Sequence, residues 1–369
     1  MARQRAAVGV GVLLGLLVLT VQGRADEASA VKVIEKLGGR VARDDKLPGK
    51  PVVEVDLQGP QITDAGVKEL KELKSLRSLS LLNTKVTDAG LKPLNELKNL
   101  RELYIRGPLV TDAGLEELKG LNCLETLALD ATQVTDAGLK KLNGLKRLRV
   151  LDLGLTAVTG RGLRELNELR SLRELNLLGA KVTDAGLKEL KGLKGLTLLS
   201  LSDTQVTDAG LKELKELHSL EELSLDHTKI TDAGLKELKE LKNLRELNLS
   251  STKITGKGFK ALKGLKSLRA LHLFSTEVGD EGLKELKELK GLQVLSLRFT
   301  RVTDTGLIEL KELKSLQVLS IGKPWVTEKG VMKLKELKNL RLLYLGGIYV
   351  ADAGVKELKA ALPGLQIFR

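Results

Sequence analysis

The pair Thr-Asp returns along this sequence at fixed intervals, as Thr63-Asp64, Thr87-Asp88, Thr111-Asp112 and onward to Thr303-Asp304. Evenly spaced carboxylates are the raw material of a calcium ladder in glycine- and aspartate-rich repeats. The aspartate column, however, becomes glycine at Gly160 and Gly256 and glutamate at Glu328. Helix capping accounts for the pair without a metal. A threonine hydroxyl accepts from an orphan N–H at a helix start, and a carboxylate in the first turn is favoured by the helix dipole by about 0.3–1 kcal/mol. Thr255-Gly256-Lys257-Gly258 has the outline of a phosphate loop but lacks the GxxxxGK[ST] spacing, and is a Thr-Asp-Ala-Gly element in another spelling. The single cysteine, Cys123, excludes an intrachain disulfide. It stands where other copies carry Ser75, Asn99 or Ser219, which reads as a small residue at a turn and not a nucleophile. His218, His227 and His272 have no ligand-like spacing, so no zinc site is expected. No Ser/His/Asp or Cys/His set has a local signature. The reading is a protein without catalytic residues, metal or cofactor, and not an enzyme.

The chemistry-bearing types are therefore parts of a repeated unit, and the unit must be defined first. Thr207–Leu225, TDAGLKELKELHSLEELSL, recurs with a period of 24 residues. One glycine carries the register: Gly66, Gly90, Gly114, Gly138, Gly162, Gly186, Gly210, Gly234, Gly258, Gly282, Gly306, Gly330 and Gly354. Fixed self-similarity of this length marks a solenoid, which grows by adding units and overrides the length prior of two or three domains. Aromatics make up 2% of the chain and charged residues 30%, so the core must be aliphatic.

Within one unit, Leu76, Leu79 and Leu81 point inward around a short strand, and Thr84 and Val86 carry the chain round a bend. Thr87 caps a helix whose buried face is Leu91, Leu94 and Leu97, with Lys92 and Lys98 in water. Pro93 falls inside that helix and should bend or shorten it. Glycine in a helix costs about 1 kcal/mol relative to alanine. Its return in every unit implies that the neighbouring repeat's backbone packs too closely for a Cβ, so that Gly90→Ala destabilises.

The run Leu76-x-x-Leu79-x-Leu81-x-x-Thr84-x-Val86-Thr87-Asp88-Ala89-Gly90-Leu91 resembles a leucine-rich repeat. It is similar to the variant with Thr or Cys in place of the usual Asn, shared by bacterial exported repeat proteins and F-box-type eukaryotic proteins. The likeness runs from Val52 to the C-terminus in 13 copies. It implies an α/β fold, a curved leucine-rich-repeat solenoid or horseshoe with a concave parallel sheet and convex helices, in proteins that mostly bind other macromolecules. It also implies that the hydroxyls of Thr84, Thr132, Thr156, Thr204, Thr228, Thr252, Thr276 and Thr300 bond the backbone of the adjacent turn. Pro60, Pro108, Ala180, Pro324 and Ile348 depart from that column.

The ends differ from the repeats. Residues 1–25 read as a signal peptide: Arg3 and Arg5, an uncharged apolar run Ala6–Val21, then Gly23 and Ala25 as small residues for cleavage. That run is 16 residues, short for a bilayer span of about 20, and an uncleaved anchor stays open as the alternative. No cysteine follows it for a lipoprotein anchor. Residues 26–51 read as an N-terminal cap, with a short amphipathic helix over Ala28–Leu37 stopped by Gly38-Gly39. Residues 52–362 are the repeats and 363–369 a C-terminal cap strand. The mature chain is expected outside the cytoplasm, in the periplasm, at the cell surface or extracellular, without a transmembrane span.

Strand residues alternate sides, so those between the inward leucines line the concave face. By repeat phase Tyr104, His272 and Tyr344 share the central strand column, and Phe274 and Arg298 the column two further on. Phe299 is next along, and Arg301, Trp325 and Tyr349 share the bend column. Only Phe259 replaces a buried helix leucine. Aromatics and arginine dominate interface energetics, and these nine residues are the candidate partner-binding set. Two explanations stand side by side: a partner patch, or shielding of the last strand's edge.

The leading functional reading is a non-enzymatic exported module that binds a protein through the concave face, biased to the C-terminal repeats. The net charge of +13, or +10 without the three arginines of residues 1–25, supports a second reading. In it the lysine-rich convex helices hold an acidic polymer or an anionic envelope surface. A third, following the F-box likeness, is a substrate receptor of a ubiquitin ligase, for which the segment between signal and first repeat has no room. Specific nucleic-acid recognition is not expected.

Overall fold

The computed structural model describes residues 26–322 and 324–369, so the signal-peptide reading of residues 1–25 lies outside it. The chain divides into two compact units, Met1–Leu151 and Asp152–Arg369. In the first, a helix over residues 26–36 buries Ala30, Val31 and Ile34. Strand β1 (Arg40–Arg43) then pairs antiparallel with β2 (Val52–Asp56), Val41 opposite Val55. The rest of this sheet is parallel and in chain order through β3 (Ser78–Leu82), β4 (Glu102–Arg106) and β5 (Thr126–Ala128). β6 (Val150–Asp152) falls at the division.

The second unit continues the rule with β7 (Glu174–Asn176), β8 (Leu198–Ser200), β9 (Glu222–Ser224), β10 (Glu246–Asn248) and β11 (Ala270–His272). After them come β12 (Val294–Ser296), β13 (Val318–Gly322), β14 (Leu342–Gly346) and β15 (Gln366–Phe368). Each pairs in parallel with the next at an offset of one repeat, as Leu223 with Leu247 and Leu295 with Leu319. Because strand side chains alternate, Leu247 and Leu249 are fully buried while Glu246 and Asn248 face outward. Phe259 is buried among the leucines, as its phase predicts.

The other side of each repeat is mostly 3-10 helix. A single α-helical turn such as Asp88–Leu91 leads into Lys92–Glu96, and Asp208–Leu211 into Lys212–Glu216. The spacing explains it. Leucines at Leu211, Leu214, Leu217 and Leu220 are three apart. Three residues fall about 60° short of an α-helical turn but complete a 3-10 turn, which favours the 3-10 form around Leu214. Asp280–Leu286 nonetheless buries Leu283 and Leu286 at the same step as an α-helix. The last helix, Asp352–Ala361, breaks the three-residue step, with Leu358 followed by Leu362, and is α-helical over ten residues. Pro93 does not shorten its helix, which is as long as Lys212–Glu216. Proline occupies the first turn, where its missing N–H is not needed.

Two inter-repeat expectations need correction. A Cβ on Gly90 would meet the Asp64 carboxylate of the preceding repeat, not its backbone, and Gly210 stands likewise against Asp184 and Gly234 against Asp208. That carboxylate is held in place. Asp208 accepts from the Thr231 N–H at 2.8 Å and from the Thr231 hydroxyl at 2.6 Å. Thr231 in turn accepts from the Ala233 N–H at 3.3 Å, the cap the sequence predicts. The backbone expectation holds at other repeats. A Cβ on Gly258 would meet the Asp232 carbonyl oxygen at 2.5 Å, and ones on Gly306 and Gly330 the Asp280 and Asp304 Cα at 3.0 and 2.9 Å. Backbone contact also occurs where the aspartate is missing. A Cβ on Gly282 would meet the Gly256 Cα at 3.0 Å, and Gly160 and Gly186 face each other in the same way. The second correction concerns the buried threonines. Thr228, Thr252 and Thr276 donate to Leu225, Leu249 and Leu273, the carbonyl three residues back in their own repeat. They are local clamps on the bend and do not link adjacent turns.

Candidate partner-binding face

The outward side of the second unit's sheet is two surfaces. From β7 to β10 the first outward column holds Glu174, Leu198, Glu222 and Glu246, with Glu222 directly opposite Glu246. A shallow depression of about 230 Å³ lies between these strands, lined by Leu198, Glu222, Glu246 and Asn248 among others. Burial, then the charges of Glu246, Glu174 and Glu221, push the Glu222 carboxyl above its ordinary pKa. Asp226, further along the same face, accepts from Ser202, from Ser224 at 2.7 Å and from Asn248 at 3.2 Å. Like charges opposite each other in a sheet are unfavourable, and this face carries them anyway.

From β11 onward the same column becomes Ala270, Val294, Val318 and Leu342, each opposite the next. Sequence reasoning followed the rare aromatics and passed over this aliphatic column; the signal for it was the replacement of glutamate by valine at one fixed phase. His272 marks the seam, with its Nε2 3.2 Å from the Glu246 carboxylate.

The candidate residues group around that column unevenly. Phe274 and Phe299 meet edge to face with ring centroids 5.2 Å apart. The Arg298 guanidinium carbon lies 5.6 Å from the Phe299 ring centre. Phe299 is 55% exposed and held at φ +57°, in a column occupied by Asp203 and His227 in other repeats. A bulky residue with positive φ is an outlier, and an exposed one recovers nothing by burial. Tyr344 stacks on Phe368 of β15 at 4.8 Å and 16°, which is the edge-shielding arrangement. Trp325 and Tyr349 are 57% and 77% exposed, and neither joins these ring pairs. Arg301 is tied to Glu277 at 3.0 Å. Tyr104 belongs to the first unit, where its hydroxyl donates to Glu102 at 3.4 Å; burial, then that carboxylate, raise its pKa.

The lysine-rich side is laced across repeats by lysine–glutamate pairs, Lys74 to Glu96 at 2.6 Å and Lys290 to Glu312 at 3.5 Å among them. Cys123 is half-buried, 3.7 Å from an Arg147 guanidinium nitrogen. Among the described residues no three His, Cys, Asp or Glu converge on a metal position, and no helix is long and apolar enough to cross a membrane.

Leucine-rich repeat family models match residues 218–278 and, separately, 168–191 and 196–215. No curated protein matches the chain. Among solved structures, an internalin from Listeria monocytogenes is 23% identical, with 92% of this chain and 93% of that chain covered and a TM-score of 0.65. A leucine-rich repeat protein from Leptospira interrogans is 24% identical over 88% of this chain and 92% of that chain, with a TM-score of 0.56. A TDR receptor is 16% identical over 86% and 67%, with a TM-score of 0.51. The fold is thus the leucine-rich-repeat solenoid, parallel strands on one side of each repeat and short helices on the other. The matched segments are leucine-rich repeats, as the Leu-x-x-Leu-x-Leu phase indicates.

Proposed function

We propose that this is a non-enzymatic, exported module of bacterial type that binds a protein through the outward sheet face of its C-terminal repeats. One observation carries the reading: Val294, Val318 and Leu342 form a half-buried apolar column in register, preceded by the buried Ala270, on the same face as Phe274 and Phe299, which are held partly in solvent. Contiguous exposed apolar surface rimmed by polar groups is characteristic of interaction sites. The candidate set narrows accordingly. Phe274, Arg298 and Phe299 lie further along the same face, the exposed Trp325 and Tyr349 beyond them at the bend, and Tyr344 stacks on the edge strand at Phe368. Residues 1–25 act as the export signal, and residues 26–51 and 363–369 as caps on the repeats.

The net positive charge favours a second reading, electrostatic capture of an acidic polymer by the helical side. The cross-repeat lysine–glutamate pairs leave that side a mixed lattice rather than a run of positive charge. Capture from envelope extract by the full chain separates the two. Counter-charge binding weakens steeply between about 50 and 200 mM salt, whereas apolar capture holds. Loss of the captured protein over that range, with Phe299→Ser/Trp325→Ser behaving as the parent, would sink the sheet-face reading.

A further inference from the structure

The residue that most needs explaining is Arg298. Its column is Phe274, Arg298, Gly322 and Gly346, and the two glycines are what its side chain lies across. A Cβ on Gly322 would stand 3.5 Å from the Arg298 Cγ, and one on Gly346 only 2.5 Å from its Nε. The side chain therefore spans the ends of β13 and β14 in a trough that exists because both positions lack a Cβ. There its Nε is buried and has no hydrogen-bond partner. An unsatisfied buried donor costs about 1–3 kcal/mol. Other arginines near the sheet are provided for: Arg301 by Glu277, Arg245 by Glu221 at 3.1 Å, and Arg269 by the Lys266 and Leu268 carbonyls. Among the described residues no carboxylate lies within ion-pair distance of Arg298.

We infer, building on the sheet-face reading, that Arg298 receives a side-chain carboxylate, Asp or Glu, from an otherwise apolar segment of the partner protein. A planar guanidinium fork matches a carboxylate in two parallel hydrogen bonds. The setting selects the class of occupant. Val294, Val318 and Leu342 form the apolar column of the same face, with Ser296, Ser320 and Tyr344 between it and the trough. A segment laid along the strands from Arg298 therefore passes two hydroxyls and an aromatic ring and ends on apolar side chains. A polyanion needs a row of cations, and among the described residues the outward strand columns of β11 to β14 offer this one arginine and His272. Glu222, Glu246 and Asp226 beyond the seam repel additional negative charge. One acid, placed toward the C-terminal repeats, is what complements the surface.

The test is selection of a random twelve-residue peptide library, displayed by its C-terminus, on the full chain, followed by a double-mutant cycle. Selected peptides should carry one Asp or Glu among Leu, Ile, Val or Phe. Changing that acid to its amide should weaken binding about tenfold to a hundredfold on the parent chain and little on Arg298→Ala. Arg298→Lys should recover part of the loss. Gly346→Ala should weaken binding with an unaltered melting curve, since its Cβ displaces a flexible side chain and not backbone. Equal losses on parent and Arg298→Ala, or apolar peptides without an acid, overturn the assignment and leave the sheet face standing. No selected peptides at all overturns both.

Discussion

Strands β9 and β10 and strands β12 and β13 obey one rule on the inside and opposite rules on the outside. Leu223, Leu247, Leu295 and Leu319 are equivalent and buried to the same degree. At the residue before each stand Glu222 and Glu246 in the first pair, Val294 and Val318 in the second. A 24-residue period constrains the inward columns, because every unit must bury the same leucines against its neighbours. The outward columns carry no such constraint and can hold recognition. The seam also shows on the helical side. Gly256 replaces the aspartate after β10, and Gly279 the threonine that aspartate would have held. The carboxylate link is absent where the face changes character.

The largest effect should come from carrying one zone's chemistry into the other. Val318→Glu places a charge in the apolar column and should cost about 2 kcal/mol or more in partner binding, roughly thirtyfold, with little change in melting. Leu198→Glu, the same change in the acidic zone, should leave capture nearly intact. Equal sensitivity at both positions, read by captured protein per mole of chain, would erase the distinction.

The seam gives the next largest. Gly256→Asp restores the repeat's own residue, so sequence arithmetic predicts a gain. The structure predicts a loss of about 1–3 kcal/mol, typical of forced overpacking, because its Cβ would meet the Gly282 Cα at 2.5 Å and its φ is +96°. Glu328→Asp offers the control, since Glu328 already bonds the Ala351 N–H at 3.1 Å in the same geometry. Denaturant melts of both variants decide it.

Those two glycines show how far the sequence could be read. Period, strand phase, buried leucines and helix starts were legible, because each depends on contacts a fixed offset apart. The partner of each Thr-Asp pair was not. Asp208 bonds Thr231, 23 residues on, and nothing within one unit distinguishes a carboxylate serving its own helix from one serving the next. The leucine spacing held the 3-10 geometry in plain view, yet any three-residue step also passes for one side of an α-helix. The candidate face was half legible. Phase located Phe274, Phe299 and Arg298 on the outward side. That Arg301 has an internal partner and Arg298 none depends on side-chain reach across repeats, which phase does not encode.

Phe299 should separate stability from recognition. A left-handed residue with a Cβ costs about 1–2 kcal/mol, and asparagine adopts that conformation more readily. Phe299→Asn should therefore raise stability by about 1 kcal/mol while reducing capture, the two properties moving in opposite directions. The same exchange at Leu155, also at φ +56° and half exposed, should raise stability without touching capture. A fall in melting temperature at Phe299 would mean that its contacts with Phe274 and Arg298 outweigh the backbone cost.

The smallest effect belongs to the acidic zone and is visible through pH. Burial and the facing glutamates hold the Glu222 pKa above 4.5. The folded chain therefore binds this proton more readily than the unfolded chain, and stability falls as pH rises from 4.5 through the raised value. Above that interval the ionised group works against the fold; below it the penalty is gone. Glu222→Gln should be more stable than the parent near neutral pH by about 0.2–1 kcal/mol, the scale of a cross-strand charge pair, and the two should converge on acidification. Glu246→Gln should gain less, since Glu246 also faces His272 at 3.2 Å. Parallel melting curves for parent and Glu222→Gln across that interval would show that the two glutamates do not oppose each other, and the acidic zone would lose its claim to be held against its own repulsion.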